Sequence, residues 1–387
     1  MPTEEGQDLI ELTREICDKE LRPKVDAAER AAATDEAFPT EVFRTLGAAG
    51  LLSLPHPEEH GGYGQPYEVY LQVVEEIASA WMSVAVGVSV HSLTAYPVTT
   101  FGTPEQQAAL LPGMLSGEQL GAYCLSEPLA GSDVGSMTTR AVAGGGTEGE
   151  PAAYRVRGRK AWISHAGHAD YYTTFARTSD DGARGLSCFV VPADAPGLSF
   201  GAPERKMGLH CDTVREVMFD DVPVDASLRI GDEGAGMAIA LSALDAGRLG
   251  IAAAATGLAQ SALDLAASYA KERQQFGRAI GQHQGLAFLL ADMEAAVTSA
   301  RATYLHAARL KDAGREFSKE AAVAKLTATD AAMRVTTDAV QVLGGYGYID
   351  EFPVERMMRD AKITQLYEGT QQIQRLVVAR ALLGKDG

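Results

Sequence analysis

The stretch Tyr123-Cys124-Leu125-Ser126-Glu127-Pro128-Leu129-Ala130-Gly131-Ser132-Asp133 marks the point at which this chain changes texture. Before it, from Gly6 to about Gly117, apolar residues recur at helical spacing, as in Leu9, Leu12 and Ile16 and again in Val69, Val73, Val74 and Ile77. That stripe predicts amphipathic helices, punctuated at Pro39, Pro55 to Pro66, Pro97 and Gly102 to Pro104. After it, to about Leu228, come short runs rich in β-branched and aromatic residues: Tyr154–Val156, Ala161–Ile163, Tyr171–Phe175, Leu186–Val191 and Val217–Phe219. Gly, Pro and Asp clusters separate them, including Gly144-Gly145-Gly146, read as a mobile hairpin loop; the pattern predicts an antiparallel β domain. Beyond Pro223 no proline occurs until Pro353, and Ala, Leu, Gln, Arg and Met follow a 3.6-residue period, as in Leu286, Leu289, Met293 and Val297. Long helices packed as a four-helix bundle are expected there. The fold class is therefore α+β, with an α-helical domain over 1–117, a β domain over 118–228 and a helical bundle over 229–387.

At 387 residues the chain exceeds what one hydrophobic core usually serves, and its 46% hydrophobic content can fill a large shared interior. No apolar run approaches the roughly 20 residues that span a bilayer, so no membrane segment is expected. Glu4, Glu5, Asp8 and Glu11 make the first residues acidic, unlike basic targeting segments. Cys17, Cys124, Cys188 and Cys211 lie far apart without a C-x-x-C, which suits a reduced cytoplasm and no metal site. With 34 Lys plus Arg against 51 Asp plus Glu, the net charge of -17 disfavours nucleic acid and anionic lipid as partners. A polyanionic ligand would need local cations such as Lys206, Arg248 or Arg273.

A nicotinamide enzyme of the common kind would show G-x-G-x-x-G within a βαβ unit, and none is present. Gly231-Asp232-Glu233-Gly234-Ala235-Gly236 leads out of the β region into a helix and reads as a linker or cap. P-loop and H-E-x-x-H patterns are absent. Three segments carry chemistry instead. The opening stretch presents hydroxyls (Ser126, Ser132) and turn N–H groups at a strand end. Gln341-Val342-Leu343-Gly344-Gly345-Tyr346-Gly347-Tyr348 ends a helix, where a Gly-Gly usually serves as a C-cap. Tyr367-Glu368-Gly369-Thr370-Gln371-Gln372-Ile373 sets an acid before a Gly-Thr that can start the last helix.

Together these segments resemble the acyl-CoA dehydrogenase family, from the Glu58-Glu59-His60-Gly61-Gly62-Tyr63-Gly64 loop to Arg380. Cys124–Ser136 and Gln341–Asp360 fit the family's two signatures, and Gly158–Ser164, Lys206-Met207-Gly208, Asp245–Gly250 and Glu272–Gly277 leading to His283-Gln284 agree. The resemblance implies FAD, with Tyr123, Leu125 and Ser126 lining the flavin on one side and Trp162 and Ser164 on the other, Ser164 bonding its reactive edge. It implies that Arg273, Phe276 and Gln284, with Gln341, Gly344 and Gly345, hold the FAD of a neighbouring subunit, and that Thr370 and Gln372 make the last contacts. A homo-oligomer follows from such sharing, commonly a tetramer built as a dimer of dimers.

The same resemblance implies α,β-dehydrogenation in fatty acid metabolism, with Glu368 as base, a hydride passing to the flavin and electrons passing on to an electron-transferring flavoprotein. A carboxylate of ordinary pKa is too weak a base for this, so burial of Glu368 is expected to raise it. Ser132 and Arg248 match contacts to CoA, Asp245 would orient that end, Tyr367 would wall the acyl pocket, and Gly369 would let the backbone approach the substrate. A surface salt bridge between Asp245 and Arg248 is an equal account of their spacing. Some relatives place the base at the position of Gly247, which here cannot take a proton. The chain departs from the family at Leu209-His210-Cys211-Asp212-Thr213-Val214, where hydroxyls are shifted and an acid is introduced, and at Leu129 and His165. An acyl-CoA oxidase or a carrier-protein thioester dehydrogenase on this fold stays open, as does acyl length, with a short or medium chain suggested; Glu368 and the net charge argue against a non-catalytic FAD-binding protein.

Overall fold

The computed structural model describes residues 3–31, 38–145 and 152–384. Helix α1 (Glu4–Ile16) runs through a π turn at Cys17–Leu21 into α2 (Arg22–Arg30), followed by α3 (Thr40–Ala48), α4 (Tyr67–Ala80), α5 (Met82–Phe101) and α6 (Pro104–Leu115). The Thr3 hydroxyl accepts from the Gly6 N–H to cap α1, and Thr103 and Gln106 exchange bonds in a capping box at α6. Pro97 was expected to interrupt a helix, yet α5 continues through it to Phe101. Nearly every side chain from Met82 to Val98 is buried, and that packing offsets the hydrogen bond the proline removes.

Strands β1 (Gly121–Cys124), β2 (Arg140–Gly144), β3 (Ala153–Ser164), β4 (Tyr171–Arg177), β5 (Leu186–Pro192), β6 (Leu198–Phe200), β7 (Val214–Asp225) and β8 (Arg229–Ile230) form one sheet. Its order is β6-β7-β3-β2-β4-β5-β8, with β1 joined to β4. The sheet is mixed rather than antiparallel throughout, because β1 runs parallel to β4, and β2 meets β4 in parallel at Arg140–Arg177. The whole β2–β3 hairpin separates β1 from β4 along the chain, so no tight turn forces an antiparallel pairing. Of the Gly144-Gly145-Gly146 loop between β2 and β3, Gly146 lies outside the described residues. The two runs Tyr154–Val156 and Ala161–Ile163 are a single strand, whose register against β7 shifts after Val156 and again after Lys160.

The chain then forms α7 (Gly236–Glu272), a two-stranded hairpin of β9 (Gln274–Gln275) and β10 (Arg278–Ala279), α8 (Gln284–Asp312), α9 (Ser318–Leu343), α10 (Val354–Thr364) and α11 (Gln371–Leu383). Helices α7, α8 and α9 pack on one another, α10 and α11 pack on α9, and α4 and α5 reach across to α7. One hydrophobic cluster from Ile10 to Ala361 therefore joins both helical ends of the chain. By length and composition α7 could cross a bilayer, contrary to the expectation that no such run exists. Its apolar window is 67% buried inside the protein, as suits a central core helix.

A buried carboxylate locks the two helical ends together. Glu75 on α4 accepts from Arg301 Nε (2.8 Å) and Nη2 (2.6 Å) and from the Tyr304 hydroxyl, both on α8. Glu75→Ala leaves the Tyr304 hydroxyl without its acceptor and the Arg301 guanidinium with only Gln260 Oε1 (2.8 Å). It should lower stability by about 2–3 kcal/mol, read as an earlier urea midpoint, and an unchanged midpoint would contradict this locking role.

Candidate active site

The turn between α10 and α11 holds two consecutive residues in the left-handed region, Glu368 (φ 50°) and Gly369 (φ 88°). Glycine takes that conformation freely, whereas glutamate does so only when its surroundings hold it there. The holder is Lys325 on α9, a fully buried lysine whose ammonium donates to the carbonyls of Tyr367 (3.0 Å) and Gly369 (2.8 Å). Gln374 Nε2 adds bonds to the carbonyls of Glu368 (3.2 Å) and Gly369 (2.9 Å), and the Thr370 hydroxyl caps α11 by accepting from the Ile373 N–H. Both sides of the acid are thus fixed by side chains from the helical core.

The Glu368 carboxylate points inward. Its Oε2 is buried without a hydrogen-bond partner, as is the Tyr367 hydroxyl beside it. Burial pushes the Glu368 carboxyl up to about 7, against the opposing pull of Lys325 and Arg248. Burial in turn brings the Lys325 ammonium down to about 8, with Glu368 resisting. A Cβ on Gly247 of α7 would lie 2.5 Å from Glu368 Oε2, so position 247 and the Glu368 side chain address the same point in space. Next to Gly247 is a cavity of about 200 Å³, lined among others by Tyr67, Ser92, Leu93, Tyr96 and Lys311. The Lys311 ammonium lies 4.8 Å from the centre of the Tyr67 ring and 5.5 Å from that of Phe317.

The facing wall comes from the sheet. At the end of β1, Glu127 is buried and its carboxylate accepts from Lys160 Nζ (3.0 Å), the Thr138 and Thr139 N–H groups (2.7 and 2.9 Å) and the Thr138 hydroxyl (2.9 Å). Burial alone would raise this acid, but Lys160 and those donors hold it at about 2. Lys160 also donates to the Leu125 carbonyl (3.0 Å), and the Ala161 N–H donates to Ser126 (3.0 Å), so the Tyr123–Ser126 strand end is tied to β3 just before Trp162. At the bulge Trp162 takes φ 63° and is 65% exposed, presenting an aromatic face outward. Ser164 is half-buried and its hydroxyl donates to Asp212 Oδ2 (2.9 Å). Tyr123 is held against Phe175 and feels the charge of Glu368.

The other residues singled out in the sequence divide between the surroundings of Glu368 and a separate cluster. Asp245 and Arg248 do pair, but as a largely buried bridge rather than on the surface: Arg248 is 5% exposed, its Nε has no partner, and Asp245 also accepts from Ser318 (3.0 Å). Burial raises the Asp245 carboxyl despite Arg248. Ser132 and Gln372 are exposed. Arg273, Gly344 and Gly345 line a separate cavity of about 510 Å³ with Tyr269, Gln275 and Tyr346, and Arg273 stacks on the Tyr346 ring at 5.8 Å. Gly344, at φ 61°, ends α9 as the helix C-cap. Gln284 and Gln341 are exposed, and Phe276, at the tip of the β9–β10 hairpin, is 94% exposed. Arg273 follows Gly247 along α7 by 26 residues, which at about 1.5 Å per residue separates the two clusters by roughly 40 Å.

The site thus combines a buried, unpartnered carboxylate on the helical side with an exposed aromatic ring and hydroxyls on the sheet. The family models for the acyl-CoA dehydrogenase N-terminal, middle and C-terminal domains match residues 3–118, 122–222 and 234–383, and the chain belongs to the acyl-CoA dehydrogenase family. It is 43% identical over 384 residues to an acyl-CoA dehydrogenase of Bacillus subtilis, covering 99% of each chain. Among solved structures it matches butyryl-CoA dehydrogenase from Megasphaera elsdenii (TM-score 0.94, 39% identity, 98% of each chain). It also matches a chain in the structure of the electron transferring flavoprotein of Acidaminococcus fermentans, studied for flavin-based electron bifurcation (TM-score 0.94, 41% identity, 98% of each chain). The enzyme is an FAD-dependent flavoprotein. Its residues fit that cofactor: Trp162 offers a ring face, Ser126 and Ser164 offer hydroxyls, and the buried Tyr367 hydroxyl and Glu368 Oε2 have no hydrogen-bond partner within the protein.

Lys325, Glu127 and Lys160 escaped the sequence reading. A lysine in an Ala-rich helix looks like a solvated residue, and only its place at zero exposure reveals otherwise. Lys325→Met should retain FAD yet lose roughly 100-fold in turnover, because the Glu368 carboxylate shifts once its flanking carbonyls are released. Removing the cation also removes a charge that lowers the Glu368 carboxyl, so the remaining activity should show its pH midpoint moved upward. Unchanged turnover with only a lower melting temperature would reduce Lys325 to a structural residue.

Proposed function

We propose that the enzyme desaturates a short acyl-CoA thioester between its α and β carbons, with Glu368 as the base that takes the α proton. The observation that carries this reading is the buried, unpartnered Glu368 Oε2, raised to about 7 and held on a strained turn. Burial matches the base to the working pH, and exclusion of water lets it meet a weakly acidic C–H bond. The backbone N–H of Glu368 and a cofactor hydroxyl are the donors proposed for the thioester carbonyl, stabilising the negative charge that develops on its oxygen. FAD, when bound, supplies the hydride acceptor.

Tyr123, Leu125, Ser126, Trp162 and Ser164 form the flavin-facing wall in this reading, with Thr370 and Gln372 at the start of α11. Arg273, Phe276, Gln284, Gln341, Gly344 and Gly345 serve the neighbouring subunit's cofactor, which makes the enzyme a homo-oligomer, a tetramer of two dimers. The roughly 40 Å between the two clusters and the bare Phe276 ring support that sharing. Ser132, Asp245 and Arg248 hold the CoA portion, while Tyr367 and Gly369 border the acyl group. The small cavity beside Gly247 and the likeness to a butyryl-CoA dehydrogenase favour a short chain. An electron-transferring flavoprotein takes the electrons onward, as the Acidaminococcus fermentans structure suggests. Four buried free cysteines suit a reducing cytoplasm.

The base acts as its carboxylate, and its pKa in the folded protein stands near 7. Dehydrogenation of butyryl-CoA, measured as kcat/KM with an artificial acceptor, should therefore rise about tenfold per pH unit below that value and level off above it. A profile flat down to pH 5 would contradict a buried base. Glu368→Gln should keep the yellow flavin and bind substrate, while anaerobic bleaching by butyryl-CoA slows by roughly a thousandfold or more. Bleaching at the normal rate would refute the assignment.

A further inference from the structure

The segment Lys206–Thr213, which carries the chain's departure from its family from Leu209 onward, is held at many points. The His210 N–H donates to Glu29 Oε2 on α2 (2.9 Å), the Leu209 N–H to Asp360 Oδ1 on α10 (2.7 Å), and Arg359 Nη1 to the Met207 carbonyl (2.7 Å). Lys206 Nζ donates to the backbone carbonyl of Asp212 (2.7 Å). Among the side chains this segment buries, Asp212 is the one that carries a carboxylate. Asp212 is 4% exposed; its Oδ2 accepts the Ser164 hydroxyl (2.9 Å), and its Oδ1 is buried with no partner. Tyr367, next to the base, feels the charge of Asp212 as well as that of Glu368, so the Asp212–Ser164 pair borders the same site.

A serine hydroxyl has one proton to give. While Asp212 is a carboxylate it claims that proton, and the Ser164 oxygen can only accept a hydrogen bond from whatever lies in front of it. Once Asp212 is protonated its own O–H can donate to Ser164, and the serine proton turns toward the site. We propose that Asp212 is a positioning residue for Ser164, setting by its own protonation whether that hydroxyl donates to or accepts from the flavin. The proposal rests on the reading that FAD lies against Ser164. The proton comes from solvent and moves only between oxygens, so no oxidant or further reactant enters.

The surroundings place this switch in an accessible range. Burial pushes the Asp212 carboxyl up to about 6, with Lys206 and the Ser164 hydroxyl pulling it down and Glu29 pushing it up. The groups facing it are therefore Lys206 on its own segment, Ser164 on β3, Glu29 from α2 and Tyr367 at the base turn, with Asp360 behind the segment. Because a carboxylate's raised pKa marks loss of the charged form on going down in pH, the donating state of Ser164 is reached below about 6.

The test uses FAD-loaded protein carrying Glu368→Gln, so that the base's own titration is silent, and records the visible flavin spectrum across roughly pH 5 to 8. A hydrogen bond gained at the flavin edge shifts its visible bands. One single-proton transition near pH 6 is expected, abolished by adding Asp212→Asn and equally by adding Ser164→Ala. The serine variant removes the relay without touching the carboxylate, which keeps the test decisive should Asp212→Asn lose its cofactor. A transition that survives Ser164→Ala overturns the proposal, and so does a flat spectrum. A wild-type protein that binds FAD and is bleached by butyryl-CoA while its Glu368→Gln form shows that flat spectrum loses this inference alone; one that binds no FAD loses the reading beneath it.

Discussion

Lys325 donates to the carbonyls on either side of Glu368, and the site depends on that pair of hydrogen bonds. They fix a turn with two left-handed residues, one of them a glutamate, between α10 and α11. A buried ammonium left unpaired would be costly, so the lysine and the turn stabilise each other. The same arrangement sets the electrostatics. Burial raises the acid to about 7 and lowers the lysine to about 8, and each charge limits the other's displacement. The acid consequently titrates near neutrality, where the proposed base role requires it.

The opposite wall is built by different means for the same purpose. Glu127 and Lys160 form a buried pair whose remaining bonds fasten the end of β1 to β3. Immediately beyond that clamp the bulge in β3 turns Trp162 outward and leaves Ser164 facing Asp212. The helical frame thus provides the acid and the sheet provides the aromatic face and hydroxyls. Glu75, bridging α4 to α8, helps keep the two helical ends of the chain acting as one body.

The helix–sheet–helix order was legible because periods of 3.6 and 2 are written directly in the apolar pattern. Glu368 and the Thr370 cap stood out as a local motif, and Gly247 as the rival base position; the structure shows that the two positions meet at one point. What stayed hidden depends on contacts distant in sequence. Lys325 lies 43 residues before Glu368, and Lys160 lies 33 after Glu127, so neither pairing leaves a local trace. The parallel pairing of β1 with β4 and the buried setting of Asp245–Arg248 were likewise decided by tertiary packing. Pro97 misled because a proline's local preference yields when the helix around it is wholly buried.

Removal of the α proton by Glu368 is tested most directly apart from any hydride transfer. A thioester whose β carbon is replaced by sulfur cannot be desaturated, yet it still carries α hydrogens. Incubated in heavy water with the FAD-loaded wild-type enzyme, it should take up deuterium at the α carbon, and with Glu368→Gln it should take up none above the uncatalysed rate. Equal exchange by the two proteins would show that another group removes the proton.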